Sequence, residues 1–229
     1  MKQTKIRITT NRGTFVFDLD TEKKNPQSKL PYLLHLAAID LFEAGKTRQG
    51  LELMEHLLLL RPKDPVVLST LGMALSDIGL QEHALPLLRR AVDELPGEAT
   101  PLVALGAALT RTNNLAEAEA ALEKALAIDA DCPFGLINLA ACLVTMGKSL
   151  ERAEHMLRRA DRLMPHNQSV WLNLGKAFAQ QGRLAEADQA LLRAIKINPG
   201  TEMAKLIGVV RANLAGWQPS PPPDSWSQN

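Results

Sequence analysis

The sequence predicts an all-α protein: a stack of five helix pairs, closed by one more helix and preceded by a short β-hairpin. Three observations carry this expectation. Helix-breaking residues recur at a period of 34. Between them, apolar residues follow helical spacing. Hydrophobic residues make up 46% of the 229-residue chain and aromatics only 4%, so Leu and Ala must fill the core, which suits closely packed helices better than a β-sandwich.

The first element is the hairpin. Residues 5–11 and 14–20 alternate apolar and polar with period two. A two-residue turn at Arg12-Gly13 sets Ile8 opposite Phe17 and Ile6 opposite Leu19, with Arg7 opposite Asp18 and Lys5 opposite Asp20 on the other face. A lone two-stranded hairpin is marginal in water. Its apolar residues Ile6, Ile8, Phe15, Phe17 and Leu19 therefore need cover. Either the hairpin folds back on the first repeat, or residues 1–20 pair with a second copy as a homodimer. Residues 21–30 read as a polar linker, so 1–30 form an N-terminal region.

The repeats follow, over residues 31–215. Gly45, Gly79, Asn113 and Gly147 stand 34 apart, and Gly182 follows after 35. Gly, or Asn as its best substitute, takes the left-handed conformation that ends one helix and turns into the next. Pro62, Pro96, Ala130, Pro165 and Pro199 keep nearly the same interval, and Pro cannot continue a helix. Gly50, Ala84, Ala118, Ala153 and Ala187 supply small residues where helices approach. The 35-residue step is an insertion of one residue within 148–152. Apolar residues at Leu68, Leu71, Gly72 and Leu75, then Leu87, Leu88 and Ala91, share one helical face. Asp64 before Pro65 makes an N-cap with Pro in the first turn. Pro86 predicts a delayed start or a mild kink in its helix. The repeats are 31–64, 65–98, 99–132, 133–167 and 168–201. A capping helix at 202–215, with Met203, Leu206, Ile207 and Val210 apolar, covers the last open face. The tail, 216–229, is rich in Pro and Ser and is expected to be disordered.

The last repeat is the most explicit. It reads Trp171-Leu172-Asn173-Leu174-Gly175, then Phe178, Gly182, Ala187 and Ala194-Ile195-Lys196-Ile197-Asn198-Pro199. This resembles the tetratricopeptide-repeat (TPR) family, whose pattern is W-x-x-L-G…Y…G…A…A…P. The resemblance covers about three quarters of the chain. It implies a right-handed α-solenoid, with the first helix of each repeat lining a concave groove. Repeat one departs from the pattern, since Gly50 and Leu57 stand where alanines are expected. The bulkier Leu57 predicts looser packing there, or a capping role.

Composition and motifs exclude several function classes. Net charge is +1, no nucleic-acid footprint, although residues 1–30 hold seven Lys/Arg against three Asp/Glu. Residues 1–20 lack the apolar stretch of a secretion signal, and the longest Leu run, 57–60, is too short to span a bilayer. A cytoplasmic protein with no membrane partner is expected. Cys132 and Cys142 read as reduced thiols, roughly ~13 Å apart along one helix. His35, His56, His83, His155 and His166 form no pair with metal-ligand spacing, and no nucleophile elbow or phosphate loop appears. No metal, no cofactor and no enzyme activity are expected. Arg89, Arg90, Lys124, Arg158, Arg159 and Arg193, with Glu119, Glu154 and Asp188 on the second helices, read as a solvated face of mixed charge.

The expected function is a scaffold or adaptor that holds a protein or peptide partner in the groove. A secretion- or assembly-type chaperone, and a non-catalytic subunit of an enzyme complex, are the alternatives. By the family's geometry, the groove offers Met73, Val103, Phe134, Ile137, Asn138, Ala141, Leu172, Asn173 and Lys176, with Tyr32, His35, Ile39, Val66, Ser69 and Ala107 beside them. The set that grips a terminal carboxylate in some TPR co-chaperones is missing, because its places hold residues such as His35, Ile39, Ser69, Met73, Val103 and Ala107. Asn138 and Asn173 occupy matching places in adjacent repeats, where Leu36, Thr70 and Ala104 stand in the others. A side-chain amide offers both donor and acceptor to a peptide backbone. Asn is also common there across the family. Repeats four and five are thus the expected main peptide site.

Overall fold

A computed structural model of the chain describes residues 5–10, 13–18, 30–199 and 202–212. The tail at 216–229, the turn residues 11 and 12, and the linker up to residue 29 lie outside the described residues. The fold is all-α: helices α1 (Leu30–Glu43), α2 (Thr47–Leu60), α3 (Pro65–Asp77), α4 (Gln81–Glu94), α5 (Ala99–Arg111), α6 (Leu115–Ile128), α7 (Pro133–Met146), α8 (Leu150–Leu163), α9 (Gln168–Gln180), α10 (Leu184–Ile197) and α11 (Glu202–Ala212). Ahead of them β1 (Lys5–Thr10) and β2 (Gly13–Asp18) pair antiparallel. The register is not the expected one. Ile8 faces Phe15, Ile6 faces Phe17 and Lys5 faces Asp18. The observed register differs from the expected one by two residues, a shift that keeps the period-two pattern, which is why alternation alone did not choose between them.

The turns follow from backbone chirality. Gly45, Gly79, Asn113, Gly147 and Gly182 all have φ between 61° and 85°. This is the left-handed region, open to Gly and tolerated by Asn. The one-residue insertion settles at Ser149, which takes a second left-handed turn (φ 50°) before α8. Asp64 caps α3 as expected: its Oδ1 accepts from the backbone N–H of Val66 (3.0 Å) and Val67 (3.3 Å). Pro86 does not delay its helix. The helix α4 starts at Gln81 and runs through it.

The chain divides into two compact units, Met1–Thr112 and Asn113–Asn229, so the division falls inside the third helix pair. In the first unit α1 packs on α2, α3 on α4, and α5 against both α3 and α4, while β1 lies against α1. Leu34, Met54, Leu57, Leu68 and Leu88 are fully buried there. Leu57 therefore fills its place in the core, and the looser packing expected of it is not observed. In the second unit α7 packs on α8, α9 on α10, and α11 closes over α10. Leu122, Leu139, Leu143, Leu157, Leu174 and Leu191 form its buried spine. Close approach depends on glycine within pairs. A Cβ at Gly72 would stand 2.6 Å from Leu88 Cγ, and one at Gly175 would stand 2.6 Å from Leu191 Cδ2.

Candidate interaction face

In both units the first helices of the repeats keep one side open, and the residues on it come from fixed places. At the second residue of a repeat stand Tyr32 (65% exposed), Val66 (54%) and Phe134 (56%), with Thr100 and Ser169 in the other two. At the ninth stand Ile39, Met73 (44% exposed), Ala107, Ala141 and Lys176. At the thirteenth stand Glu43, Asp77, Arg111, Thr145 and Gln180, all exposed. The fifth place behaves differently. Ser69, Val103, Ile137 and Leu172 are buried between helices, and His35 is half-buried. Of the residues assigned to the groove from sequence, Phe134, Met73 and Lys176 are exposed, and Asn138 and Ala141 are half-buried. Val103, Ile137, Leu172 and Asn173 are packed inside. A helical face of about 100° per residue explains the error, because the fifth residue lies on the flank that meets the next helix and not on the open side.

The two asparagines also differ. Asn173 is 8% exposed, and its Nδ2 donates to the Ser169 carbonyl one turn back (2.9 Å). One N–H of its amide is thus taken up within its own helix. Asn138 is half-buried and has no side-chain hydrogen bond among the described residues.

The first unit holds a groove of about 570 Å³. Ile39, Phe42 and Glu43 of α1 form one wall, Thr70, Met73, Ala74 and Asp77 of α3 the other, and Thr47 and Ile78 close the end. The helix packing explains it. α3 packs on α5 and α7 packs on α9, but α1 and α3 make no comparable contact. The ninth residues, Ile39 and Met73, are large in these two repeats, whereas Ala107 and Ala141 stand at that place in the next two. Phe42, Glu43 and Asp77 were missed from the sequence. The signal that marks them is the acid repeated at the thirteenth place.

The second helices carry the solvated face of mixed charge that their composition suggested, and ion pairs between repeats run across it. Lys148 Nζ meets Glu119 Oε1 at 2.9 Å, and Arg183 Nη1 meets Glu154 Oε2 at 2.6 Å, each pair 29 residues apart. Arg152 pairs with Glu123 (2.7 Å) and Arg159 with Asp131 (2.6 Å). Asp188 is 2% exposed and is held by Arg211 of α11. Arg183 also bonds Glu186 and lies 4.3 Å over the Phe178 ring. Burial pushes the Glu154 carboxyl up, but hydrogen bonds from Arg183 and Arg158 outweigh it and hold it below the ordinary 4.5. The Arg183 hydrogen bond lowers the Glu186 carboxyl too. Arg193 stacks 3.9 Å from the Trp171 ring, whose Nε1–H donates to Asp161 (3.0 Å). In the first unit, burial keeps the His35 imidazole below its usual 6.5, with Asp64 opposing. Cys132 and Cys142 are thiols, not joined in a disulfide. Among the described residues, no group of three His, Cys, Asp or Glu side chains is placed to hold a metal ion, and no helix is long and apolar enough to cross a membrane.

Left-handed turns at a 34-residue period, small residues at helix crossings and an open face on each first helix define a helix-pair repeat scaffold. A model of the tetratricopeptide repeat matches residues 82–134 and 145–209, just over half of the chain. The chain belongs to the tetratricopeptide-repeat family. A TPR repeat-containing protein of Pseudomonas aeruginosa is 25% identical over 135 residues, which are 59% of this chain and 23% of that protein. The chain thus spans about a quarter of the length of the curated relative it matches. Among solved structures, a thermophilic TPR protein from Thermus thermophilus superposes with a TM-score of 0.68 at 21% identity, covering 80% of this chain and 98% of the other. YrrB, described as a TPR protein with an unusual peptide-binding site, gives a TM-score of 0.54 at 17% identity, covering 83% and 96%. These structures share the fold.

Proposed function

We propose that the chain is a non-catalytic adaptor that binds a polypeptide segment of a partner on the open side of its first helices. One observation carries the reading. Large apolar side chains, Tyr32, Val66 and Phe134, stand more than half exposed at the same place in three repeats. Tyr32 and Val66 recur at that place in successive repeats of the first unit, and exposed apolar residues that recur so mark an interaction surface, whereas scattered ones are ordinary. The peptide-binding site described for YrrB is consistent with this reading. Capture of partners by the full chain, with identification by mass spectrometry, supplies the ligand for calorimetry. Tyr32→Ala, Val66→Ala and Phe134→Ala together should weaken that partner by about 2–4 kcal/mol, since interface aromatics dominate binding energy. Unchanged affinity in a variant that keeps its helical signal would end the reading. The same surface would serve a chaperone of apolar client segments. That alternative requires a client that aggregates without this protein, which light scattering of the captured partner decides.

A further inference from the structure

The groove between α1 and α3 is more specific than an open apolar face, because one residue of the sequence keeps it open. Gly50 stands at a place where the later repeats carry Ala84, Ala118, Ala153 and Ala187. A Cβ at Gly50 would meet Phe42 Cε1 at 2.5 Å and Cδ1 at 2.7 Å. The missing side chain is therefore the space in which the Phe42 ring lies. With its ring laid against α2, Phe42 forms a wall of the groove and does not plug it. Gly50, an anomaly in the repeat pattern, thus has a physical reason.

The charge at the rim has a sign. Glu43 and Asp77 stand at the same place in successive repeats, 34 residues apart, and both line the groove. A charge of opposite sign meets Asp77. Arg111 Nη2 binds Asp77 Oδ1 at 2.7 Å, with its Nη1 on Ser76 Oγ, so it neutralises Asp77 in part. Lys46 is exposed one turn beyond Glu43. Neither Glu43 nor Lys46 has an ion-pair partner among the described residues. An apolar floor of Ile39, Phe42, Met73 and Ile78 beside an unpaired carboxylate complements an apolar side chain with a cation next to it.

We propose that this groove is the specificity site of the adaptor, and that it takes a partner segment presenting Leu-sized apolar side chains beside Lys or Arg. The inference rests on the adaptor reading and adds its ligand chemistry. The volume, about 570 Å³, holds several side chains and is of the size that seats small ligands. The pliable thioether of Met73 adjusts to their shape. Glu43 selects the cation and speeds its approach, because complementary rim charge acts mostly on specificity and association rate.

The test uses the full chain and two fluorescein-labelled peptides read by anisotropy. One is Gly-Ser-Leu-Arg-Leu-Lys-Gly-Ser, and the other has Glu in place of Arg and Lys. The basic peptide should bind and the acidic one should not. Glu43→Lys, an exposed change that leaves the core intact, should weaken the basic peptide by about tenfold and raise the binding of the acidic one. Gly50→Ala should turn the Phe42 ring into the groove and cut affinity for the basic peptide by about tenfold or more, with the helical circular dichroism unchanged. Equal binding of the two peptides, no binding of the basic one, or wild-type affinity in Glu43→Lys overturns the proposal. In each of those cases the adaptor reading still stands or falls on its own captured partner. Normal binding of that partner to Glu43→Lys and Gly50→Ala, but not to Phe134→Ala, moves the site to the second unit.

Discussion

At the scale of single residues, burial and partner decide what a side chain can do. Asn138 and Asn173 are alike in sequence and unlike in the structure. Asn173 donates to its own helix inside the core, whereas Asn138 is half-buried with no side-chain hydrogen bond among the described residues. Asn138→Ala should therefore weaken the captured partner by about 0.5–1.5 kcal/mol, one net hydrogen bond, with stability unchanged. Asn173→Ala should lower stability by a similar amount, roughly 1 kcal/mol, and leave binding alone. Calorimetry and urea unfolding separate the two, and the reverse pattern sinks the assignment. Arg183 yields a pH prediction. Its hydrogen bonds depress the Glu186 carboxyl and, against the opposing effect of burial, the Glu154 carboxyl. A folded value below the unfolded one means the unfolded chain binds more protons. The stabilisation is thus present above the unfolded value, near 4.5, and is lost as pH falls through the lower folded values. Arg183→Met should cost up to about 1 kcal/mol at neutral pH, because both carboxylates are partly solvated. That gap should close in acid. A gap that persists at low pH assigns the effect to the Phe178 stacking instead.

At the scale of elements, helix ends were readable in the sequence and helix faces only partly. The turns at Gly45, Gly79, Asn113, Gly147 and Gly182 and the Asp64 cap depend on local backbone chemistry, which a sequence carries within a few residues. Which flank of a first helix is open depends on how neighbouring helices cross, so Val103, Ile137 and Leu172 were taken for ligand contacts and are core. Pro86 predicted a delayed start or a mild kink, yet the helix that contains it starts at Gln81 and runs through it, with Ala84, Leu88 and Ala91 buried. The last helix shows how a non-local contact can dominate. Asp188 of α10 is buried, and α11 supplies its counter-ion, Arg211. Removing one partner leaves a buried charge without compensation. Arg211→Met should loosen α11 and lower stability by about 1–3 kcal/mol, less than for a fully enclosed pair because Arg211 itself meets solvent. Asp188→Asn in the same background should recover part of the loss. No recovery would show that α11 is held by its apolar face alone. For the N-terminal strands, β1 beside α1 supports cover within one chain over pairing of two. Deleting residues 1–20 should lower the melting temperature and leave the molar mass from light scattering that of a single chain. A halved mass would instead establish the homodimer.

At the scale of the whole molecule, the period of 34 made the all-α repeat fold legible, because every repeat restates the same turn, small residue and stop. The groove was less legible, since it arises where two repeats differ from the rest: large ninth residues, a Phe at position 42 and a Gly at position 50. Averaging over repeats hides such exceptions. The charges show the same principle. Glu119 with Lys148, and Glu154 with Arg183, recur at a spacing of 29 in the second unit, and the same spacing in the first unit falls on Leu51 and Leu80. The second unit thus has charge pairs at places where the first unit has Leu51 and the 45% exposed Leu80, so charge holds only the second unit there. Apolar burial is insensitive to moderate salt, while partly exposed ion pairs weaken as the screening length falls from about 8 Å at physiological ionic strength to about 3 Å at 1 M. In a repeat protein, stability is close to a sum of local and neighbour terms, so such a difference stays local. Raising sodium chloride toward about 1 M should lower the hydrogen-exchange protection of α8 and α10 by about 1 kcal/mol and leave α3 and α4 nearly unchanged. The double variant Glu119→Leu with Lys148→Leu replaces the ion pair at the start of α8 by apolar side chains, and it should reduce the salt response of α8 while keeping its protection. An equal salt response in both units, or a variant as salt-sensitive as the wild type, would show that these ion pairs do not hold the second unit together.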